Sequence, residues 1–276
     1  MIRNTKTNIQ ALLYYAILVV GAVISVGPFV WMVLGSFKPN VEIMRMPPTF
    51  WPQSPSLKNY ITVLESIPFF RYYLNSLITG ITVTLLALFT SSIAGHIFHH
   101  YEFRGRDVIF AAILSTMMIP FQVIMIPLYK VAIDLHLPNT YAGLMLWGPV
   151  STFGIFMMKQ FMHSVPRDLI EAARIDGAGH FRIYWQVVLP LIKPALASLG
   201  IFTFMNNWDS FMWPLIIVSK TEMRTLPLGL AMFIHQRGVR NDLIMAAATM
   251  AVIPVFIVFL SAQRYFVEGI TLTGIK

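Results

Sequence analysis

Long apolar stretches separated by short charged clusters set the pattern of this sequence. Runs free of Asp, Glu, Lys and Arg extend from Thr7 to Phe37 (31 residues), Tyr72 to Tyr101 (30), Val108 to Tyr129 (22), Leu135 to Met158 (24) and Leu243 to Gln263 (21). A further stretch, Pro194 to Ser219 (26 residues), is interrupted only by Asp209. About twenty helical residues cross ~30 Å of hydrocarbon, so each stretch is long enough for one span. The pattern predicts six transmembrane helices. The first run follows Arg3 and Lys6 as a signal peptide would. It is about twice the length of a typical apolar signal core and has no clear small-x-small cleavage site, so it reads as a retained first helix. Six spans place both termini on one side; that side carries 11 Lys and Arg against 9 on the other, too small a bias to fix orientation.

Composition narrows the class. The chain is 57% hydrophobic and 12% charged, with a mean hydropathy of +0.68, which excludes an ordinary soluble enzyme. Its net charge of +8 is scattered between apolar runs instead of gathered on one face, so nucleic acid is not the expected partner. Without cysteine there is no disulfide, thiolate metal site or Cys nucleophile. No G-x-x-x-x-G-K-[ST] occurs, so the chain has no P-loop to cradle ATP phosphates. No Ser/His/Asp, paired-carboxylate or H-E-x-x-H pattern stands out, and no catalytic residue is expected. His96, His99 and His100 have ligand spacing, but at the end of the second run, ahead of Arg104 and Arg106, they read as an interfacial cap and not as a metal site. Met117, Met118 and Met125 read as adaptable packing.

The connections are unequal. Residues 1–70 comprise the first helix and a Pro-rich external loop; residues 71–276 form a core of five helices that contains the long loop 159–193. Within that loop stands SVPRDLIEAARIDGAGHFRIYWQVVLPLIKP. Ser164 is a plausible N-cap, Pro166 fits the first turn, and Asp168 suits the positive end of the helix. Leu169, Ala172 and Ala173 share a small flat face, while Arg167, Glu171 and Arg174 make a charged edge. Asp176, Gly177, Ala178 and Gly179 stop the helix, since Gly supplies the positive φ of an αL cap. A second short helix follows with Phe181, Tyr184, Trp185 and Val188 as its apolar side, and Pro190 and Pro194 bend the chain into the fifth span. An amphipathic segment lying on lipid headgroups would tolerate Trp185 and the basic residues, but has no need for Ala-Ala and Gly at set positions.

This loop resembles the signature of the integral-membrane permeases of binding-protein-dependent ABC importers: E-A-A, three residues on D-G-A, then an apolar residue followed two positions later by L-P. Here these are Glu171-Ala172-Ala173, Asp176-Gly177-Ala178, Val187 and Leu189-Pro190. The six residues of E-A-A and D-G-A at fixed spacing arise by chance with a probability of roughly 10⁻⁴ or less. The resemblance implies an all-α membrane protein of the type I ABC importer permease fold, with six transmembrane helices and a cytoplasmic coupling loop between helices 4 and 5. In that family the loop seats in a cleft of a cytoplasmic ATPase subunit. Carried over, Glu171 makes a charge-assisted contact, Ala172 and Ala173 pack closely, Gly177 makes the turn, and both termini are cytoplasmic.

Further matches resemble the carbohydrate-uptake branch related to the smaller maltose permease subunit: NTYAGL (Asn139 to Leu144), NNWDSFMWPL (Asn206 to Leu215) and QRYFVEGITLTGIK (Gln263 to Lys276). The branch usually has Asn after the Trp, where this chain has Asp209. Independently of the family, Thr203, Asn206, Asp209, Ser210 and Trp213 fall on one helical stripe. An ionisable residue in a span normally faces a bundle interior or a water-filled cavity, and Asp209 lies about 22 Å up the helix from Pro194. Asn206, Asn207, Trp208, Asp209, Ser210 and Trp213 could line a sugar path, hydroxyls being met by side chains that donate and accept and ring faces by Trp. Equally, Asn206 and Ser210 could bond a neighbouring helix while Trp208 and Trp213 join the interfacial belt.

The sequence therefore predicts a multi-pass inner-membrane subunit of a prokaryotic ABC importer. It would form half of the pathway for an oligosaccharide or disaccharide delivered by an external solute-binding protein. Its expected partners are a second permease, usually a different chain, two cytoplasmic ATPase subunits that bind ATP and Mg, and membrane lipid; no cofactor is expected on this chain. The alternatives are a permease for glycerol 3-phosphate or a polyol, and a self-sufficient secondary transporter, which would be expected to show inverted repeats.

Overall fold

The computed structural model describes residues 2–237 and 240–271. Among them there are helices and no strands. In chain order the helices are α1 (Ile2–Ser36), α2 (Asn40–Ile43), α3 (Lys58–Ser66), α4 (Phe69–His100), α5 (Arg106–Ser115), α6 (Phe121–Asp134), α7 (Tyr141–Met145) and α8 (Thr152–Phe161). They continue as α9 (Arg167–Ile175), α10 (His180–Ile183), α11 (Leu189–Leu191), α12 (Lys193–Trp208), α13 (Met212–Ile217), α14 (Leu226–Arg237) and α15 (Asn241–Thr271). The tail match Gln263 to Lys276 leaves the described residues after Thr271.

Three of the apolar runs form unbroken helices long enough to cross a membrane: Tyr14–Ser36 within α1, Phe69–His100 and Asn241–Ser261 within α15. The run 108–129 is instead bent by 100° between α5 with its 3₁₀ extension and α6. The cause is Pro120, which forces Ile119 into an extended conformation. The run 135–158 is helical in two pieces, α7 and α8, because Gly148 and Pro149 fall between them. The stretch 194–219 breaks after Trp208 and resumes as α13.

The chain forms two compact units, residues 1–67 with 232–252 and residues 68–231 with 253–276. In the first, the Pro-rich loop is folded back on its own backbone. Asn59 Nδ2 donates to the carbonyls of Ser36 and Lys38, both at 2.8 Å, and Ser36 Oγ lies 2.6 Å from Tyr60 Oη. Buried Lys38 donates to the Thr49 and Phe50 carbonyls and lies 4.8 Å from the Trp31 ring. Arg240 and Asp242 pair at 2.8 Å. No residue of α1 in its apolar window is buried, as for a helix whose solvent is lipid or another chain.

In the second unit, α8 and α12 pack against α4. The buried face of α4 repeats at helical spacing and is mostly small: Ser76, Thr79, Gly80, Val83, Ala87, Ser91 and Gly95. Thr79, Thr84 and Ser92 return their hydroxyls to α4's own carbonyls, which leaves that face without unpaired donors at those positions. Small residues let helix backbones approach where no hydrophobic drive between helices exists. At Gly95 the two backbones themselves meet: a Cβ there would stand 2.6 Å from the Met158 Cβ, 2.8 Å from the Lys159 backbone nitrogen and 2.9 Å from the Met158 carbonyl carbon. Beside it Met158, Met162, Val165, Ile170, Ile183, Val188, Ile192, Ala195 and Leu199 form one buried cluster that ties α8, the 159–193 loop and α12 together.

Gly95→Ala is therefore expected to lower stability by about 2 kcal/mol, because the atoms it meets, backbone and a Cβ, cannot rotate away. Gly200→Ala, whose Cβ would meet only side-chain atoms at 3.5 Å or more, is expected to be neutral. Thermal unfolding of the two purified variants in one detergent separates these outcomes.

Candidate functional site: the 159–193 segment and the end of α12

The signature residues lie on a segment with one face anchored and one face open. After α8 a 3₁₀ turn, Met162–Ser164, drops buried Val165 into the cluster, and Pro166 in extended backbone starts α9. Ser164 does not cap α9: it belongs to the preceding turn and its hydroxyl donates to the Phe161 carbonyl at 2.7 Å. Asp168 in the first turn and Arg174 in the last both complement the helix dipole.

Asp176 is the C-cap, and Gly177 follows with φ +78°. The Gly177 amide donates to the Arg174 carbonyl at 3.0 Å and the Ala178 amide to the Ala173 carbonyl at 2.9 Å, the paired bonds of a Schellman motif. That motif brings Ala173 and Ala178 together, and both pack on the buried cluster below Ile170 and Ile183. The predicted face of Leu169, Ala172 and Ala173 is thus divided. Ala173 turns inward, while Leu169, Glu171 and Ala172 are exposed. Glu171 makes no ion pair with Arg167 or Arg174; the ion pairs among the described residues are Arg106–Asp107 and Arg240–Asp242.

From α10 the backbone passes through one π-helical turn, Tyr184–Val188, into α11. The extra residue in that turn splits the predicted apolar side. Tyr184 and Val188 are buried, whereas Phe181 (68% exposed) and Trp185 (52%) stack on each other outside at 6.1 Å. With Ile175 (86% exposed) they make an outward apolar surface that the E-A-A and D-G-A spacing does not announce. Tyr184 Oη lies 2.7 Å from Ser92 Oγ of α4; burial pushes this phenol above its usual range and the Ser92 hydrogen bond acts the other way. Leu189 is half-buried on the cluster and Pro190 is exposed. Between Pro190 and Pro194 the chain turns 79° at buried Ile192.

The polar stripe expected on one helix is interrupted. Helix α12 ends at Trp208, Asp209 is its C-cap, and Trp213 belongs to α13. Asn206 and Asn207 donate to carbonyls one turn back, Phe202 at 2.8 Å and Thr203 at 3.0 Å. Asn206 and Asp209 are exposed and Ser210 is half-buried. Trp208 and Trp213 are both buried: Trp208 stacks on Phe204 and meets Tyr73 edge-on, and Trp213 Nε1 donates to the Gly143 carbonyl at 2.9 Å. Neither indole is an open ring face of the kind proposed for a sugar.

NTYAGL holds the same end of this unit together. Thr140 caps α7 by accepting from the Gly143 amide at 3.0 Å. Asn139, at φ 59°, accepts from the Ser219 and Lys220 amides at 2.8 and 2.7 Å. Tyr141 Oη donates to Asn75 Oδ1 at 2.7 Å, and buried Asn75 donates to the Glu222 and Arg224 carbonyls. Asn75 in an apolar run was the available signal for this node, since a buried amide needs partners. Of the three α4 histidines, His96 is buried and in ring contact with His100 and Tyr184, while His99 and His100 are half-buried.

Residues 87–272 match the model of the binding-protein-dependent transport system inner membrane component family. The chain is 38% identical over 253 residues to the arabinooligosaccharides transport system permease protein AraQ of Bacillus subtilis, covering 90% of each. It is 31% identical over 277 residues to the sn-glycerol-3-phosphate transport system permease protein UgpE of Rhizobium meliloti, covering 97% of this chain and 98% of the relative. In fold it is similar to a chain of a bacterial ABC transporter involved in the import of the acidic polysaccharide alginate, with a TM-score of 0.84 and 24% identity over 94% of this chain and 97% of that one.

A Cβ at Gly177 would meet open space, so the cost of Gly177→Ala is conformational alone, about 1 kcal/mol. Gly177→Asn, which tolerates the left-handed region better, is expected to recover part of it. Hydrogen exchange at the Gly177 and Ala178 amides, which lose protection first if the motif opens, reads the difference.

Proposed function

The chain belongs to the binding-protein-dependent transport system inner membrane component family, and on that premise we propose that it supplies half of the translocation pathway of an ATP-driven sugar importer. The membership sets aside a self-sufficient secondary transporter. The observation that carries the coupling role is the divided 159–193 segment: one face locked to α8 and α12 through the buried cluster, the other presenting Leu169, Ile175, Phe181 and Trp185. An apolar surface of that kind, on a segment rich in charge, calls for a protein partner. We assign it to a cytoplasmic ATPase subunit, with Glu171 and Ala172 at the contact and Ala173, Asp176, Gly177, Ala178, Leu189 and Pro190 holding its shape. ATP and Mg then belong to two such subunits, a reading that fits the lack of a P-loop motif in this sequence. This reading places both termini in the cytoplasm and the Asn139–Asn75 node and Asp209 on the external side, where a solute-binding protein delivers the solute to this chain and a second, different permease.

The substrate class follows from the end of α12. Asn206, Asn207, Asp209 and Ser210 offer donors and acceptors suited to hydroxyls, with Trp208 and Trp213 serving as the packed wall behind them. A carboxylate there disfavours anions, which favours a neutral oligosaccharide or disaccharide over glycerol 3-phosphate. The name of the Bacillus subtilis relative supports the same class.

Two outcomes test this. Affinity purification of the intact chain from its native membrane is expected to bring an ATPase and a second permease. Ile175→Asp plus Phe181→Asp, at exposed positions, is expected to cut ATPase recovery about tenfold or more while retaining the permease. Unchanged recovery would remove the coupling assignment. In reconstituted complexes, Asp209→Asn is expected to leave uptake of a neutral sugar within about twofold of the starting rate and to raise that of an acidic one; equal treatment of both by the unsubstituted protein would refute the pathway role of Asp209.

A further inference from the structure

The inner end of α4 meets the 159–193 segment through imidazoles. His96 is 4% exposed, and neither of its ring nitrogens has a hydrogen-bond partner among the described residues. Ring centroids lie 4.7 Å apart for His96–His100, 4.5 Å for His99–His100 and 4.4 Å for His99–His163. Tyr101 extends the series: its ring is 5.5 Å from His96 and 5.2 Å from His180, and its Oη is 2.8 Å from His180 Nδ1. His163, His99, His100 and His96 thus form a contiguous series of rings from the turn before α9 into α4, and Tyr101 links that series to His180, the first residue of α10.

The charged groups acting on the three α4 imidazoles are cationic. Lys159 acts on them from α8, and Arg167 and Arg174 from α9. No carboxylate is among the groups acting on the three α4 imidazoles; Asp107 of α5 acts on Lys159 instead, whose ammonium is seated 3.6 Å from the Phe110 ring centroid. Tyr184 closes the remaining side from the π-helical turn.

We propose that this cluster is a proton-binding site that controls the joint between α4 and the α9–α10 segment. A buried group without a partner costs free energy unless a ligand is meant to satisfy it. Among the described residues no three His, Asp or Glu side chains are placed to hold a metal ion, and rings in mutual contact leave no room for a polyatomic anion. A proton needs no added volume. With the imidazoles neutral, the rings pack and the Tyr101–His180 and Ser92–Tyr184 bonds hold the joint shut. Charging more than one of them sets like charges 4.4 to 4.7 Å apart beside Lys159, Arg167 and Arg174, and separation of His163 and His180 from α4 relieves it. The joint is closed while the imidazoles are neutral and opens only once the pH is low enough to charge them against burial and the surrounding cations. Its effect on transport, a loss of coupling when the joint opens, rests on the assignment of the segment to the ATPase; the opening itself does not.

The absence of cysteine allows a direct test on this chain alone. Ile183→Cys, at a position 1% exposed in α10, reports the joint, and Ile175→Cys, 86% exposed, calibrates thiol reactivity at each pH. The ratio of their labelling rates is expected to rise at least about fivefold from about pH 7.5 to about pH 4, since burial and the neighbouring cations oppose charging of the rings. With His96→Gln plus His100→Gln it should stay within about twofold. His99→Gln plus His163→Gln, at the rim of the cluster, should blunt the rise and decides the matter if the first pair does not fold. A flat ratio in the unsubstituted background overturns the proposal, as does the same rise with the glutamines in place. So does loss of protection at Ala132→Cys, buried on α6, in step with Ile183→Cys, since that would be general unfolding.

Discussion

The fold of the larger unit depends on how closely two helices can approach α4. Within lipid, burying apolar side chains gives no advantage over leaving them in hydrocarbon, so association relies on close contact and on hydrogen bonds. Helix α4 meets both demands. Its inward face is built from Ser, Thr, Gly and Ala, and at Gly95 the backbone of α8 lies against it. Its two ends carry the polar ties: Asn75 at one, to Tyr141 and to the Glu222 and Arg224 carbonyls, and Ser92 and Tyr101 at the other, to Tyr184 and His180. It is the fixed member against which the 159–193 segment is mounted.

That mounting gives the signature spacing a structural meaning. Ala173 and Ala178, five residues apart, are brought together by the left-handed Gly177 and share one patch of core, so two of the three alanines serve the fold. Glu171 and Ala172 are exposed. A motif that looks like a single recognition patch is a hinge with a small outward face, and the larger apolar area comes from Ile175, Phe181 and Trp185 outside it. NTYAGL and NNWDSFMWPL behave similarly. Asn139 gathers the amides after α13, and Trp213 is held on the Gly143 carbonyl, so part of each motif secures the other.

What the sequence made legible follows from the physics behind each signal. Charge-free runs marked the apolar segments well, because ionisable groups are excluded from hydrocarbon wherever they fall. Counting charges says nothing about prolines, so the bend at Pro120 and the gap at Gly148-Pro149 were hidden inside runs that looked continuous. The Gly177 stop was readable since only a left-handed residue makes that turn. Ser164 misled because a 3₁₀ turn ahead of α9 used its hydroxyl. The partition of Phe181, Tyr184, Trp185 and Val188 was out of reach, because α spacing was assumed where the chain takes a π-helical turn and shifts by one residue. The polar stripe failed for a related reason: periodicity cannot be carried past a helix end, and Asp209 is that end.

These breaks define how displacement travels. Ile192 is buried and flanked by Pro190 and Pro194, whose rings leave the elbow little freedom to absorb a movement. Helix α12, which follows, is about 24 Å long for its 16 residues and is unbroken to Trp208. On the proposed coupling role, a shift of the 159–193 segment would tilt α12 as a lever against α4, and the motion would emerge where the helix stops, at Asn206, Asn207 and Asp209. A polar break placed anywhere nearer the elbow would dissipate it. On that role the end of α12 would be both the point of greatest excursion and the point at which polar side chains become exposed, which is the coincidence a pathway that alternates between two openings requires.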